Sequence, residues 1–203
     1  CLVRGPDLLW GGDIRRFHPP AGAFDGVIGG PPCQKFSVMQ CAVPNRPTEN
    51  LIPEFERVVS EAAPVWFLME NVPRAPEPHV SGYIVKSLLF NNRWAVEMPE
   101  QNRLRRFSFG TRDGGSLLPE TTALESPIWE YAIVGGHGRT DHGRHKWGQG
   151  TQKVPEMCRF QGLPEDFFAQ SPFTVHAQRM MLGNGVPIPM GRAIARAVRQ
   201  ALA

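Results

Sequence analysis

The chain has 203 residues, of which 41% are hydrophobic and 20% charged, and its formal net charge is +3. This composition is typical of a globular protein with one domain or one domain and a small appendage, and the modest positive charge is compatible with nucleic-acid binding without requiring it. No apolar run is long enough to cross a membrane, and no basic stretch followed by an apolar stretch is visible, so we expect no secretory signal within the given residues. The four cysteines form no closely spaced pair, which argues against a zinc site or a disulfide framework and favours a reducing compartment. The chain begins with Cys1 rather than Met, so we expect an N-terminal piece to be missing.

The first third of the chain contains a cysteine on a predicted turn. Residues 11–14 read Gly-Gly-Asp-Ile, where the aspartate is typical of a turn residue or a helix N-cap. Val27 and Ile28 predict a short buried strand, and the two glycines and two prolines that follow cannot continue a strand or a helix. Cys33 therefore lies on a rigid turn at the C-terminal end of a strand, where ligands bind in open α/β sheets. A thiol there is well placed to act as a nucleophile, although a lone cysteine is more often a buried apolar residue.

A predicted helix and a predicted strand follow this turn. Residues 38–49 are polar and have no period, and we expect a surface loop there that acts as a lid. Apolar residues recur at helical spacing from Asn50 to Ala63, and Pro64 ends that helix. The next five residues are all apolar and predict a fully buried strand that delivers Glu70 at its C-terminal end. A carboxylate in this place is costly to bury without a partner or a chemical role, although it can also reach solvent beyond the sheet.

The middle of the chain is rich in basic residues. Residues 83–90 predict a helix, residues 94–98 predict a strand, and residues 101–110 predict an extended segment whose arginines alternate. An arginine-rich strand is most often a solvated sheet edge. From Thr111 to Pro155 the period is lost, and the sequence becomes basic and rich in glycine. We expect a loop that binds phosphates and base edges there, and no metal site, because no cysteine or acidic cluster completes a ligand set with the histidines.

Six short sequences follow one another in order along the chain. They are Gly-Asp-Ile at 12–14, Pro-Cys-Gln at 32–34, Glu-Asn-Val at 70–72, Gln-x-Arg-x-Arg at 101–105, Phe-Gln-Gly-Leu-Pro at 160–164 and Gly-Asn-x-Val at 183–186. In this order they resemble the signatures of the DNA (cytosine-5)-methyltransferases. The resemblance implies a Rossmann-like α/β methyltransferase fold, with a mostly parallel sheet flanked by helices and a helix from Met190 to Leu202. It implies three regions: a catalytic domain at 1–110, a small target-recognition region at 111–155, and a return segment at 156–203 that packs on the catalytic domain and includes Cys158.

The resemblance also assigns roles to individual residues. The catalytic residues would be Cys33, Glu70, Arg103 and Arg105. S-adenosylmethionine would be held by Asp13, Ile14, Pro32, Leu51, Asn184, Gly185 and Val186. Double-stranded DNA would be contacted by Gln34, Ser37, Arg139, Arg144 and Lys146. In such an enzyme the thiolate adds to C6 of a cytosine flipped out of the duplex, the carboxylic acid hydrogen-bonds the ring, and C5 takes the methyl group.

Two departures from the family pattern leave alternatives open. The opening strand and the Phe-x-Gly-x-Gly cofactor loop of the family are absent, so we expect a complementing N-terminal segment or subunit. Gly185 stands where the family has serine. A second interpretation is a catalytically silent or split-enzyme DNA-binding module, and a third, a cysteine hydrolase, lacks any motif that places a base beside Cys33. A transfer-RNA substrate is also compatible with the resemblance. The expected location is cytoplasmic, for a bacterial or phage-encoded protein, or otherwise in association with DNA.

Overall fold

The structure is a computed structural model that describes residues 12–32, 49–123, 128–134 and 152–203. The strands are β1 (Gly26–Gly29), β2 (Trp66–Asn71), β3 (Ile84–Asn91), β4 (Gln101–Asn102), β5 (Leu104–Thr111) and β6 (Glu130–Tyr131). The helices are α1 (Ile52–Ala62), α2 (Val154–Phe160), α3 (Val175–Asn184) and α4 (Ile188–Ala201), and short 3-10 turns span Ile14–Arg16 and Asn92–Trp94. Among the described residues, no helix is both long and apolar enough to cross a membrane.

The chain divides into two compact units. The first is formed by Cys1–Leu89 and Arg106–Ser116, and the second by Phe90–Arg105 and Leu117–Ala203. The division into catalytic, recognition and return regions concerns function, and it stays a prediction.

A four-stranded sheet has the strand order β1-β2-β5-β3. β1 and β2 are parallel, with Val27 opposite Phe67. β2 and β5 are antiparallel, with Glu70 opposite Phe107. The sheet is therefore mixed, and the expectation of a mostly parallel sheet is wrong on this point.

Helix α1 packs on this sheet as the sequence predicts. The side chain of Asn50 accepts a hydrogen bond from the N–H of Ile52 at 3.1 Å, which satisfies one of the donors that a helix N-terminus leaves free. The apolar face of α1 joins β2 in the core of the first unit, where Phe55 and Val59 pack with Phe67. The helix ends at Ala63, whose φ of 47° is left-handed, and Pro64 cannot continue it.

Strand β1 lies where the sequence predicts it, but its burial differs. Ile28 is 69% exposed, and β1 is the end strand of the sheet in the described part of the chain. The expectation of a buried strand is therefore wrong. Two apolar residues, Val27 and Ile28, occur equally well in a strand that is covered on both faces and in an end strand, so the sequence could not distinguish the two.

The helix predicted over residues 83–90 is also wrong, because this segment is strand β3. Ile84 and Val85 are β-branched, which favours a strand, and the Ser87 Oγ and Ser108 Oγ atoms form a hydrogen bond of 2.8 Å to β5. The strand predicted over 94–98 is a tight turn instead, in which Met98 takes a φ of 48°.

The second unit is built from helices and a pair of short strands. β4 and β6 are parallel, and a core of Ile133, Met157, Cys158, Phe160 and Leu182 brings α2 and α3 together. Cys158 is buried in this core, where burial raises the pKa of its thiol. The C-terminal helix is confirmed as α4. Helix α3 has no counterpart in the sequence predictions, because its apolar residues follow no clear helical stripe.

Candidate active site

The predicted nucleophile follows strand β1. β1 ends at Gly29, and the chain continues through Gly30, Pro31 and Pro32 to Cys33. The other residues predicted at this turn are Gln34 and Ser37, and those predicted to bind DNA in the basic run are Arg139, Arg144 and Lys146. All five, together with Cys33 and most of the predicted lid, lie outside the described residues.

The proline segment before Cys33 is held by a buried asparagine at the end of β2. The side-chain N–H of Asn71 donates to the carbonyl oxygen of Pro31 at 3.1 Å, and its side-chain oxygen accepts from the N–H of Val72 at 2.8 Å. Asn71 is fully buried, and these hydrogen bonds satisfy its side-chain amide, as buried polar groups require. Sequence analysis gave Asn71 no role, and the available signal was its place in Glu-Asn-Val, directly after the candidate catalytic carboxylate.

The carboxylate of Glu70 lies against the same turn. A Cβ atom placed on Gly30 would be 3.4 Å from Oε2 of Glu70, so the carboxylate lies beside the glycine at a distance that a side-chain methyl group would fill. Glu70 is partly buried and is the next-to-last residue of β2, not the residue after the strand. The structure therefore brings Glu70 together with the residues that lead into Cys33.

A cavity of about 690 Å³ opens beside β1 in the first unit. Four of the residues predicted to hold the cofactor line it, namely Asp13, Ile14, Pro32 and Leu51. Much of the remaining wall is apolar and includes Phe17, Phe24, Val27, Phe55 and Val58, which sequence analysis did not single out as site residues. The volume lies in the range of small-molecule sites, which are mostly apolar with a few polar groups that orient the ligand.

The aspartate in this cavity wall is paired with a neighbouring arginine. Asp13 caps the Ile14–Arg16 turn, and its carboxylate accepts from the Arg15 guanidinium at 2.6 to 2.9 Å and from the Arg15 backbone N–H at 3.1 Å. These hydrogen bonds from Arg15 lower the pKa of Asp13 from 3.8 to about 2. The N-cap role expected for an aspartate at this position is confirmed, and the same residue lines the cavity.

We expect Arg15→Ala to raise the pKa of Asp13 from about 2 toward its ordinary value of 3.8, because the strongest hydrogen bonds to the carboxylate are lost. A lowered pKa in the folded state stabilises the fold above the unfolded-state pKa, and this stabilisation is lost as the pH falls toward 2. The measurement is an NMR titration of the Asp13 carboxyl carbon. Arg16→Ala is the control, because Arg16 is the weakest cause of the shift, and equal shifts in both variants would contradict the assignment.

The remaining cofactor residues lie in the second unit. Asn184 ends helix α3, and the backbone N–H of Gly185 donates to the carbonyl of Met181 at 3.0 Å. The side chains of Asn184 and Val186 are exposed. The predicted Gly-Asn-Gly turn is therefore the end of a helix followed by a short connection to α4.

The two arginines predicted to be catalytic make different contacts. Arg103 lies between β4 and β5 and is 2% exposed, and its guanidinium donates to the carbonyls of Ile133 at 2.8 Å and Gly183 at 2.9 Å. Arg105 is partly buried in β5 and donates to the carbonyl of Leu104 at 2.8 Å. The contacts of Arg103 are with the backbone of the second unit.

Solved structures share this fold. The chain resembles the Dnmt2 methyltransferase of S. pombe with a TM-score of 0.61 and 12% identity, covering 88% of this chain and 78% of that chain. It resembles the Entamoeba histolytica methyltransferase EhMeth with a TM-score of 0.58 and 11% identity, over 88% and 78% of the two chains. The fold is that of the S-adenosylmethionine-dependent methyltransferases.

Sequence comparison narrows this class to one family. The family model described as C-5 cytosine-specific DNA methylase matches residues 11–127, more than half of the chain. The chain belongs to this family. It is 35% identical over 128 residues to the type II methyltransferase M1.HphI of Haemophilus parahaemolyticus, covering 55% of this chain and 32% of the relative.

A second relative is more similar over a shorter stretch. The chain is 53% identical over 49 residues to the type II methyltransferase M.AquIA of Picosynechococcus, covering 24% of this chain and 20% of that protein. The matches span between 12% and 39% of the length of the curated relatives.

Proposed function

We propose that this chain carries the nucleophile of a DNA (cytosine-5)-methyltransferase, which transfers a methyl group from S-adenosylmethionine to C5 of a cytosine in double-stranded DNA. The observation that supports this most strongly is the position of the Glu70 carboxylate beside Gly30, in the turn that leads to Cys33, in a member of the cytosine-specific methylase family. The side-chain amide of Asn71 donates to the carbonyl of Pro31, which links the proline segment of that turn to the end of β2.

The cavity in the first unit fits the nucleoside part of the cofactor. Its apolar walls suit a flat aromatic ring, and the Asp13 carboxylate offers an acceptor for an exocyclic amine. When bound, S-adenosylmethionine supplies an electrophilic methyl group on a sulfonium. Ile14, Pro32 and Leu51 would pack against it from the cavity wall. We assign Asn184, Gly185 and Val186 to the methionine part on the basis of the sequence motif.

The proposed chemistry starts at the thiolate of Cys33. The sulfur forms a bond to C6 of the cytosine, and the electrons of the C5–C6 double bond become available at C5. Glu70 donates a proton to N3 as charge enters the ring and hydrogen-bonds the exocyclic amine, while Arg105 holds O2. S-adenosylmethionine, held by the cavity residues, would supply the methyl group to C5 and would keep the electron pair of its own broken methyl–sulfur bond. The C5 proton then passes to a water molecule, the C5–C6 double bond re-forms, and the C6–S bond breaks to return the thiolate. The proton on N3 goes back to Glu70 in the same step, so the acid is ready for another cycle.

Binding to DNA must offset the cost of extruding the base. Unstacking and unpairing a base costs on the order of a few kcal/mol. We propose that Gln34 and Ser37 contact the DNA beside the extruded cytosine, and that the basic residues Arg139, Arg144 and Lys146 bind phosphates. The positive charge of this run supports the assignment, because phosphate contacts supply much of the affinity of DNA-binding proteins.

A trapping experiment tests the proposal. In a duplex with 5-fluorocytosine at the target position, fluorine cannot leave C5 as the proton does, so the protein stays bound to the DNA through sulfur. We expect a covalent complex in the presence of S-adenosylmethionine, detected by denaturing electrophoresis and mapped to Cys33 by peptide mass spectrometry. The control is Cys33→Ser, which should give no complex, and a wild-type adduct at Cys41 or Cys158 would contradict the assignment of the nucleophile.

A second candidate function is a DNA-binding part of a split enzyme that lacks its own cofactor site. A 5-azacytosine duplex distinguishes the two, because thiolate addition to this ring is completed by protonation of N5 and requires no methyl donor. A Cys33 adduct with 5-azacytosine, without binding of S-adenosylmethionine in titration calorimetry, indicates a split enzyme. Parallel reactions on duplex RNA test the choice of nucleic acid.

A further inference from the structure

A buried set of side-chain amides and one guanidinium lies in the second unit, apart from the residues proposed to do chemistry. Gln101 and Gln161 are both buried, and the side-chain N–H of Gln101 donates to the carbonyl of Phe160 at 2.8 Å and to the side-chain oxygen of Gln161 at 3.3 Å. The side-chain oxygen of Gln101 accepts from the N–H of Ile133 at 3.2 Å. Together with Arg103, these groups form a polar network inside an otherwise apolar core.

Gln161 connects this network to the end of helix α3 by hydrogen bonds. Its side-chain N–H donates to the carbonyl of Leu182, which is within the last turn of the helix, and to the carbonyl of Gly185 at 3.4 Å. Its backbone carbonyl accepts from the N–H of Ile188 at 2.8 Å, the first residue of α4. A single residue of the Phe-Gln-Gly-Leu-Pro segment thus contacts both sides of the connection between α3 and α4.

These contacts take the place of the hydrogen bonds that usually cap the C-terminal end of a helix. The last carbonyls of a helix lack partners within it, and a glycine in the left-handed conformation commonly helps to satisfy them. Gly185 has a φ of −70°, so it is not left-handed and does not form such a cap. The carbonyls of Leu182 and Gly183 are instead satisfied by the side chains of Gln161 and Arg103.

We propose that Gln161 and Arg103 are positioning residues that fix the end of α3, so that Asn184, Gly185 and Val186 are presented to the cofactor. The inference rests on the proposed function, in which these three residues contact the methionine part of S-adenosylmethionine. Arg103 then acts through the backbone at Gly183 and touches neither base nor cofactor.

Gln161→Leu tests this role, because leucine keeps the apolar volume and removes every side-chain hydrogen bond. We expect the dissociation constant for S-adenosylmethionine to rise about tenfold, as is typical for the loss of a buried hydrogen bond that leaves its acceptors unpaired. The matched control is Gln152→Leu. Gln152 is 1% exposed and belongs to the second unit, and its side-chain amide has no hydrogen-bond partner among the residues that the structure describes. This control should leave the dissociation constant unchanged.

Amide hydrogen exchange of the ligand-free chain gives a readout that needs no cofactor. We expect faster exchange over residues 183–188 in Gln161→Leu and no local change there in Gln152→Leu. If both variants change these amides equally, or if neither does, the inference is overturned. If the wild-type chain does not bind S-adenosylmethionine but exchange responds as expected, the proposed function fails while the structural role of Gln161 stands.

The variant Gln161→Glu separates a specific hydrogen bond from a general loss of packing. The ionised carboxylate has no proton to donate and repels the two carbonyls, whereas the protonated acid donates again. We expect tighter cofactor binding as the pH falls in Gln161→Glu and no such recovery in Gln161→Leu. Should Gln161→Leu fail to fold, Arg103→Lys provides the second variant, with a smaller loss of affinity because one donor to the backbone is retained.

Discussion

Glu70→Gln is expected to lower the rate of methyl transfer by about 10²- to 10⁴-fold, the range usual for loss of a general acid. The amide keeps the shape of the carboxyl group and its place against Gly30, but it cannot pass a proton to N3 of the base. The measurement is a single-turnover rate with radiolabelled S-adenosylmethionine, made on the protein that forms the covalent complex with 5-fluorocytosine DNA.

The matched control for this variant is Glu77→Gln. Glu77 is an exposed carboxylate of the same unit whose ion pair with Arg106 is long, at 3.8 Å. Its substitution should leave the rate within about twofold, since surface changes of this kind have small effects. A Glu70→Gln rate close to that of the wild type, with the fold intact, would remove Glu70 from the proposed chemistry.

Phe67→Ala is expected to destabilise the first unit by about 3–5 kcal/mol, the cost typical of deleting a buried aromatic ring. Phe67 is fully buried in β2, and its ring makes edge contacts with Phe55, at 5.8 Å between centroids, and with Tyr83, at 5.3 Å. The ring also lies across Gly110, where a Cβ atom would come within 2.2 Å of it. The free energy of unfolding is measured by urea titration at 25 °C.

Val65→Ala is the comparison for this substitution. Val65 is exposed and directly precedes β2, so its loss should change the free energy of unfolding by no more than about 0.5 kcal/mol. A cost below about 1 kcal/mol for Phe67→Ala would mean that the core of the first unit is not organised around this ring.

The sequence predicted elements well where one physical signal dominated. The helical stripe ending at Pro64 predicts α1, and the unbroken apolar run before Glu70 predicts β2. The helix prediction for residues 83–90 was wrong because their apolar residues fit either a helix or a strand. The partner strand that decides between the two, β5, lies about twenty residues further along the chain. No local pattern carries that information.

In the candidate site too, the sequence predicted some features, and contacts between distant residues decided others. Asp13 and Pro32 stand in two of the six motifs and line one cavity in the first unit, as the resemblance implies for cofactor residues. Asn71, Gln161 and Arg103 also stand in the motifs, but they hold backbone carbonyls of distant residues, and a carbonyl is the same in every amino acid. The sequence of the partner therefore gives no sign of the contact, and only the fold reveals these three roles.

Within the part of the chain that the structure describes, β1 is the end strand of the sheet, and this position affects how the protein must be handled in solution. An end strand presents a row of backbone donors and acceptors that can pair with another copy, and Ile28 adds an exposed apolar side chain to it. No proline or lysine interrupts the four residues of β1. Purified material should therefore self-associate as its concentration rises, and static light scattering across a dilution series sets the concentration range in which measured constants describe a monodisperse protein.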